Sequence, residues 1–212
     1  MTKSPLFLHA AEAHARRLAM ALYDGADAFR RVEIAGSIRR LKPTVGDIEL
    51  VGEIDPDREF GASARIARVL HDAGVRRAAP TVRADGTEVH APWGDRYMKG
   101  DWEPEAGQTV QVDLFMVRSP ADWGVVFLIR TGSADFSQAI VTRLHRFGLR
   151  SEDGRIVDTT KSAGGRRGEH PAVPCPDEET FFRLARLPWI PPERRDPADE
   201  ATSRLLRGPV EL

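Results

Sequence analysis

Three short runs in this chain carry the residue types that nucleotidyl transfer requires. They are Gly36-Ser37-Ile38-Arg39-Arg40, then Gly46-Asp47-Ile48-Glu49-Leu50-Val51, then Val110-Gln111-Val112-Asp113-Leu114-Phe115. A small Gly-Ser turn lets backbone N–H groups approach a triphosphate, and the N-terminus of a following helix favours its negative charge. Asp47 and Glu49 stand at i and i+2, so on a strand both carboxylates point to one face while Ile48 turns to the core. Oxygen ligands of this kind suit Mg²⁺, which binds through a few carboxylates together with substrate phosphates. Asp113 interrupts an otherwise apolar strand, where a carboxylate is costly unless something cationic meets it. Each run alone has a plainer reading: an alternating strand with acids on its wet face, a turn capping a short helix, an aspartate paired with an arginine. The three together, with Ser37 nine residues ahead of Gly46, point to a nucleotidyltransferase.

The elements that must position these residues alternate between helix and strand. Leu8, Ala11, Ala15, Leu18 and Leu22 follow a 3-4-3-4 spacing that predicts an amphipathic helix over 4–23. Val32, Ile34 and Ala35 make a short strand running into the Gly-Ser turn, and a brief helix over 37–41 ends before Pro43. A strand over 47–54 follows, then a helix over 62–71 with Gly74 as its C-terminal stop. Residues 75–117 read as an antiparallel set, with strands over 75–82, 96–102 and 109–117 and a turn at Asp85-Gly86. Beyond it, Ser119 and Asp122 have the spacing of a capping pair for an apolar helix over 123–129. Ser133 caps a helix over 134–147 that Gly148 stops, and Pro176 with three acids opens another to about residue 186. Residues 161–176 read as a long mobile loop, and the tail from Pro191 is expected to pack by its first residues and fray after them.

Composition bounds the rest. At 212 residues the chain is one large domain or two small ones, long enough to bury a real core. Charged residues are 30% and the net charge is −1, so a nucleic-acid partner would require charges segregated onto one face. The span 141–170 has a mild excess, seven Lys/Arg against four acids, which suits a solvated helix face at least as well. The single Cys175 excludes an internal disulfide and a zinc ribbon and fits a reducing compartment. Six scattered histidines show no ligand spacing. No stretch approaches the ~20 apolar residues of a membrane span, and no signal peptide is evident, so a cytoplasmic protein of a bacterium or of a virus in its host is expected. Trp93, Tyr97 and Trp102 read as packing rather than as a base-stacking surface.

The same motifs resemble those of family X DNA polymerases, the DNA polymerase beta group. Ala-Gly-Ser-Ile-Arg-Arg (35–40) followed by Val-Gly-Asp-Ile-Glu (45–49) is similar to that family's Gly-Gly-Ser-x-Arg-Arg and Gly-Asp-x-Asp. Thr131-Gly132-Ser133, with Phe136 three residues on, resembles the Thr-Gly-Ser motif opening its thumb. Glu178-Glu179-Thr180-Phe181-Phe182 with Leu187-Pro188-Trp189-Ile190-Pro191-Pro192-Glu193 resembles the thumb's closing segment in bacterial members. The resemblance runs from about residue 30 to about residue 195. It implies an α+β fold: a nucleotidyltransferase palm over 1–118 (a mixed or antiparallel sheet flanked by helices), a small thumb over 119–195, and a tail over 196–212. It further implies template-directed short-gap filling from dNTP on primer-template or gapped DNA, by a monomer.

By the same resemblance, Asp47, Glu49 and Asp113 are both the catalytic residues and the ligands of two Mg²⁺ ions, roughly 3.5–4 Å apart. Asp113 would help deprotonate the primer 3′-OH. Gly36, Ser37, Arg40, Gly46, Thr131, Gly132, Ser133 and Ser137 form the implied nucleotide-binding set.

The departures from the family pattern carry expectations of their own. Glu49 replaces the usual Asp and is one methylene longer, which shifts ion spacing or preference toward Mn²⁺. Gln111 stands two before Asp113, where the best-known member has a cation. Ile129-Arg130 replaces an aromatic pair that discriminates against ribonucleotides, Ser137 an Asn that contacts the incoming base, and Val141 an arginine that touches the template. About thirty residues ahead of the palm are too few for the lyase and fingers domains of larger members. Two other readings stay open: a nucleotidyltransferase acting on a DNA end without a template or on a tRNA, protein or antibiotic, and a non-catalytic module with a degenerate palm.

Overall fold

The computed structural model describes residues 5–161, 170–196 and 198–208, and the chain divides into two units, Met1–Arg118 and Ser119–Leu212. The first unit begins with β1 (Leu6–Phe7) and α1 (Leu8–Gly25), whose 3-4 spacing buries Ala11, Ala15, Leu18 and Leu22. Next come β2 (Phe29–Ile34), the single turn α2 (Gly36–Arg39), β3 (Thr44–Val45) and β4 (Asp47–Ile54). Helix α3 (Ala62–Asp72) buries Ala62, Ile66 and Leu70 and ends at Gly74, whose φ of +91° is the left-handed stop expected there. The unit closes with β5 (Arg76–Arg77), β6 (Thr81–Val82), β7 (Glu88–Val89), β8 (Tyr97–Glu105) and β9 (Gln108–Val117).

Five of these strands form one mixed sheet in the order β2-β4-β9-β8-β5. β4 and β9 run parallel, and every other pair is antiparallel. Alternate residues Ile48, Leu50 and Ile54 on β4 and Val112, Leu114 and Met116 on β9 share a core with α1 and α3. Period-2 alternation therefore leaves Asp47, Glu49 and Asp113 on the opposite face. Trp102 belongs to the core, 4% exposed with its indole N–H donating to the Ala73 carbonyl at 2.9 Å, and Trp93 packs against it, so both are packing residues.

The strand expected over 75–82 is instead split. Only Arg76–Arg77 pairs with β8, while Thr81–Val82 forms a separate hairpin with Glu88–Val89. Pro80 has no N–H to give to a ladder and separates the two. The turn falls at Asp85-Gly86, where Gly86 has φ +81° and Asp85 accepts from the Thr87 N–H at 2.9 Å.

The second unit contains α4 (Trp123–Thr131), α5 (Ala134–Leu144), β10 (Leu149–Glu152), β11 (Arg155–Asp158), β12 (Ala172–Val173), α6 (Glu178–Leu184) and α7 (Glu200–Arg207). Val125, Leu128, Phe136, Ile140, Leu144, Phe181 and Phe182 make its core. At Gly124 a Cβ would overlap the Asp177 backbone, and the Gly124 N–H donates to the Cys175 carbonyl at 2.8 Å, so only glycine permits this approach to α4.

Five readings are corrected or extended in this unit. Ser119 makes no capping hydrogen bond; Pro120 opens a short 3₁₀ turn over Pro120–Asp122 that leads into α4. Helix α5 stops at Leu144 and continues as a 3₁₀ turn to Phe147 before Gly148. A three-stranded sheet, β10-β11-β12, was not anticipated from the sequence. Of the expected loop over 161–176, residues 162–169 lie outside the described residues, and Ala172–Val173 is a strand. The segment expected to fray forms α7 instead, with Thr202 and Leu206 buried. No helix among the described residues is long and apolar enough to cross a membrane.

Candidate active site

Strands β4 and β9 pair in a register that makes Asp47 the partner of Gln111 and Glu49 the partner of Asp113. Adjacent strands lie about 4.8 Å apart and i, i+2 positions roughly 6.6 Å apart. The three carboxylate residues therefore share one small area of one sheet face. Lys99 on β8 is the antiparallel partner of Asp113. Farther along the same face, Arg31 pairs with the nearly buried Glu53 at 2.6 Å.

The turn beside this face is built around Gly36. The Ala35 N–H still donates to the Glu49 carbonyl at 2.9 Å, so the chain leaves β2 in register with β4. Gly36 then takes φ +61°, and a Cβ at that position would overlap the Glu49 carboxylate. Both the positive φ and the close approach require glycine. Arg40 N–H closes the turn onto the Gly36 carbonyl at 3.2 Å, and Lys42 N–H onto Ser37 at 3.0 Å. Ser37 Oγ is buried without a hydrogen-bond partner among the described residues. An orphan buried hydroxyl is costly unless a ligand completes it. Gly46 is exposed, with nothing within 4 Å of where its Cβ would stand.

Asp113 is 5% exposed and held by two neutral donors. The Tyr97 hydroxyl donates to its Oδ1 and Gln111 Nε2 to its Oδ2, each at 2.6 Å. Tyr97 is itself fixed by stacking on Phe115, with ring centroids 4.6 Å apart and planes 10° from parallel. Sequence reasoning placed Tyr97 among packing residues and missed its contact with Asp113. The contact runs diagonally, because the Cα partner of Tyr97 is Phe115. Gln111 thus meets Asp113 as a neutral amide donor.

Thr131, Gly132, Ser133 and Ser137 lie together in the second unit, at the joint between α4 and α5. Thr131 is fully buried at the end of α4. Ser133 caps α5 by accepting from the Phe136 N–H at 3.2 Å. The Ser137 hydroxyl donates to the Ile129 carbonyl at 2.8 Å, and the residue is 8% exposed. This buried hydroxyl, bonded to a backbone carbonyl, ties α4 to α5. A Cβ at Gly132 would press on Phe136 and the Ser137 hydroxyl.

Among the described residues no three His, Cys, Asp or Glu side chains converge closely enough to hold a metal. Glu49 lies over Gly36, and Asp113 is drawn to Tyr97 and Gln111. The donor chemistry nonetheless fits a hard divalent cation: three carboxylates on in-register positions of one face.

No protein-family model matches the chain, and no curated protein matches it in sequence. Among solved structures it is similar to a crystal structure of Leishmania infantum polymerase beta in a ternary P/T complex. The TM-score is 0.68, covering 92% of this chain and 77% of that chain at 17% sequence identity. At that identity the likeness is one of fold. The chain has an α+β architecture, a mixed sheet flanked by helices, with a fold like that of polymerase beta.

Proposed function

We propose that this chain is a template-directed DNA nucleotidyltransferase, a short-gap polymerase of the family X kind. It would move a nucleotide from dNTP to a primer 3′-OH. The observation that carries the reading is the register of β4 and β9, which sets Asp113 beside Glu49 and Asp47 on the face that the Gly36-Ser37 turn borders.

In the proposed reaction the primer 3′-oxygen forms a bond to the α-phosphorus, the bond from that phosphorus to the β-phosphate oxygen breaks, and pyrophosphate leaves. Asp113, oriented by Tyr97 and Gln111, takes the hydroxyl proton. Ser37 Oγ and the Gly36 backbone meet the triphosphate, Arg40 adds charge, and the open space at Gly46 leaves room for it. Asp47, Glu49 and Asp113 would hold Mg²⁺, or Mn²⁺ in its place, which when bound neutralises phosphate charge and acidifies the attacking hydroxyl. Thr131, Gly132 and Ser133 set the start of α5 in the second unit, and Ser137 serves by holding that joint. The proposed setting is a cytoplasmic monomer acting on gapped or primer-template DNA.

A second reading keeps the same carboxylates but a different acceptor, in a terminal, tRNA, protein or antibiotic nucleotidyltransferase. It is favoured by the commitment of Ser137 to Ile129, which removes one route to the nascent base pair.

Primer extension separates the two. Gapped DNA, open template-primer and single-stranded DNA are compared with each dNTP and NTP, beside an Asp47→Ala control. Gap-dependent incorporation of the complementary dNTP that Asp47→Ala abolishes is expected. Equal incorporation without a template would favour terminal transfer, and none into any DNA would favour a small-molecule or protein acceptor. With Ile129-Arg130 ahead of the Thr-Gly-Ser turn, weak discrimination between dNTP and NTP is expected.

A further inference from the structure

Within the second unit, residues of α7 line two cavities of about 840 and 420 Å³, and Arg143 lines both. Arg143 is 4% exposed. Its Nε donates to the Ala185 carbonyl at 2.9 Å, and its Nη1 to the carbonyls of Leu206 and Gly208 at 3.1 Å each. Among the described residues Nη2 makes no hydrogen bond, and no carboxylate pairs with the guanidinium. A buried cation whose only acceptors are carbonyls is poorly compensated. Desolvation, and then the nearby Arg146, accordingly lower its pKa.

The surroundings add positive charge. Arg186 lines the larger cavity, and Arg146 and Arg207 the smaller. Among the described residues none of the three forms an ion pair. Arg146 donates to the Gly208 carbonyl at 3.1 Å, and the Arg186 guanidinium lies 4.7 Å from the Phe147 ring centroid. The acids on the cavity walls are mostly occupied: Glu200 pairs with Arg204 at 2.5 Å, and Asp199 with Arg194 at 3.2 Å. In the smaller cavity Asp135 alone is left to face the three guanidinium groups of Arg143, Arg146 and Arg207, in a chain whose net charge is −1. Leu187, Pro188 and Leu205 supply an apolar wall in the larger cavity.

We propose that this arginine crevice binds a phosphoryl group, either free inorganic phosphate or the phosphate of a nucleotide whose organic part lies on the apolar wall. The planar guanidinium fork matches phosphate oxygens, and a largely buried cation is screened less by salt than an exposed one. The site is separate from the dNTP contacts proposed above. Every residue that forms it lies in the second unit, and none belongs to the catalytic or nucleotide-binding set.

The test is amide chemical-shift mapping of the full chain with three probes: inorganic phosphate, a mononucleotide 5′-phosphate, and the corresponding nucleoside. Saturable shifts of residues 143–147, 186–188 and 203–208 are expected with both phosphates and not with the nucleoside. Tighter binding of the mononucleotide assigns the site to a phosphate ester, and equal binding to the free ion. Arg146→Gln and Arg207→Gln are each expected to weaken binding about tenfold, the loss of one charge-assisted hydrogen bond. Both should leave the melting temperature unchanged, since neither residue is buried. The proposal fails if millimolar phosphate leaves these resonances unmoved, if shifts appear only at residues 36–40, or if the double variant binds phosphate as the parent does. A negative result here leaves primer extension untouched, and loss of extension in Asp113→Ala leaves phosphate binding untouched.

Discussion

The Tyr97 hydroxyl donates a 2.6 Å hydrogen bond to Asp113 Oδ1, across a strand boundary that the stacking of Tyr97 on Phe115 holds rigid. Tyr97→Phe keeps the ring and its stacking and removes only the donor. A hydrogen bond to a charged group contributes about 1.5–3 kcal/mol, so a mis-aimed Asp113 should lower kcat about tenfold or more. KM for dNTP should change little, because Tyr97 touches the carboxylate and not the proposed triphosphate contacts. Steady-state kinetics with a thermal melt decides it. Unchanged kcat in a fully folded variant would remove Tyr97 from any positioning role.

Gly36 and Gly46 make a paired experiment on the turn. Gly36→Ala forces a Cβ into a φ of +61° and into the Glu49 carboxylate, whereas Gly46→Ala meets nothing within 4 Å. The first should cost about 1–2 kcal/mol of stability from the left-handed backbone alone. Displacement of Glu49 by about 1 Å should cost about a hundredfold in turnover. Gly46→Ala should leave stability unchanged, so any fall in its activity reports a ligand passing that position. Urea denaturation and nucleotide-incorporation rates for both variants are the measurements.

The sheet strand that carries the acids was legible because burial and chemistry alternate along it: Ile48 and Leu50 point inward, Asp47 and Glu49 outward, and the strand spans 47–54 as read. The contact between Tyr97 and Asp113 was not, because it depends on the pairing of β8 with β9, and a bulge between Trp102 and Glu105 shifts that register. The sheet β10-β11-β12 was hidden by strands of two to four residues, such as Leu149–Glu152, too short for periodicity to speak. Helix α7 did leave a signal: Asp199 accepts from the Thr202 N–H at 2.7 Å, an N-cap ahead of Leu206, and the proline-rich acidic run before it obscured the pattern. Ser137 lies between Phe136 and Ile140 on the buried side of α5, so its burial followed from its place on the helix.

Glu178 and Arg195 form a buried ion pair under the Thr-Gly-Ser joint. Arg195 is fully buried, its guanidinium meets both oxygens of Glu178, and its carbonyl accepts from the Ser133 N–H at 3.1 Å. Glu178→Gln should destabilise the chain by about 3–5 kcal/mol, because the buried guanidinium loses its carboxylate. Replacing both residues by apolar ones of similar volume should recover much of the loss. Urea denaturation of the single and double variants measures it, and a Glu178→Gln variant as stable as the parent would show that the Ile190 carbonyl, which accepts from Arg195 Nε at 2.9 Å, suffices.

Cys175 provides a test of burial in the second unit through pH. Desolvation pushes its thiol up to about 12 from an ordinary 9.0, and the Asp177 and Asp122 carboxylates add to the shift. The folded chain therefore holds this proton more tightly than the unfolded chain does. The stability it contributes is complete below the unfolded value of 9.0 and is lost as pH rises toward about 12. Cys175→Ala should flatten the alkaline limb of the stability profile in that window and leave the neutral region lowered only by a small cavity, about 1 kcal/mol. At pH 8 the native thiol should resist alkylation for hours and react within minutes in urea, since the thiolate is the nucleophile. Rapid labelling of the folded chain at pH 8 would mean that the core around Cys175 opens far more often than its full burial implies.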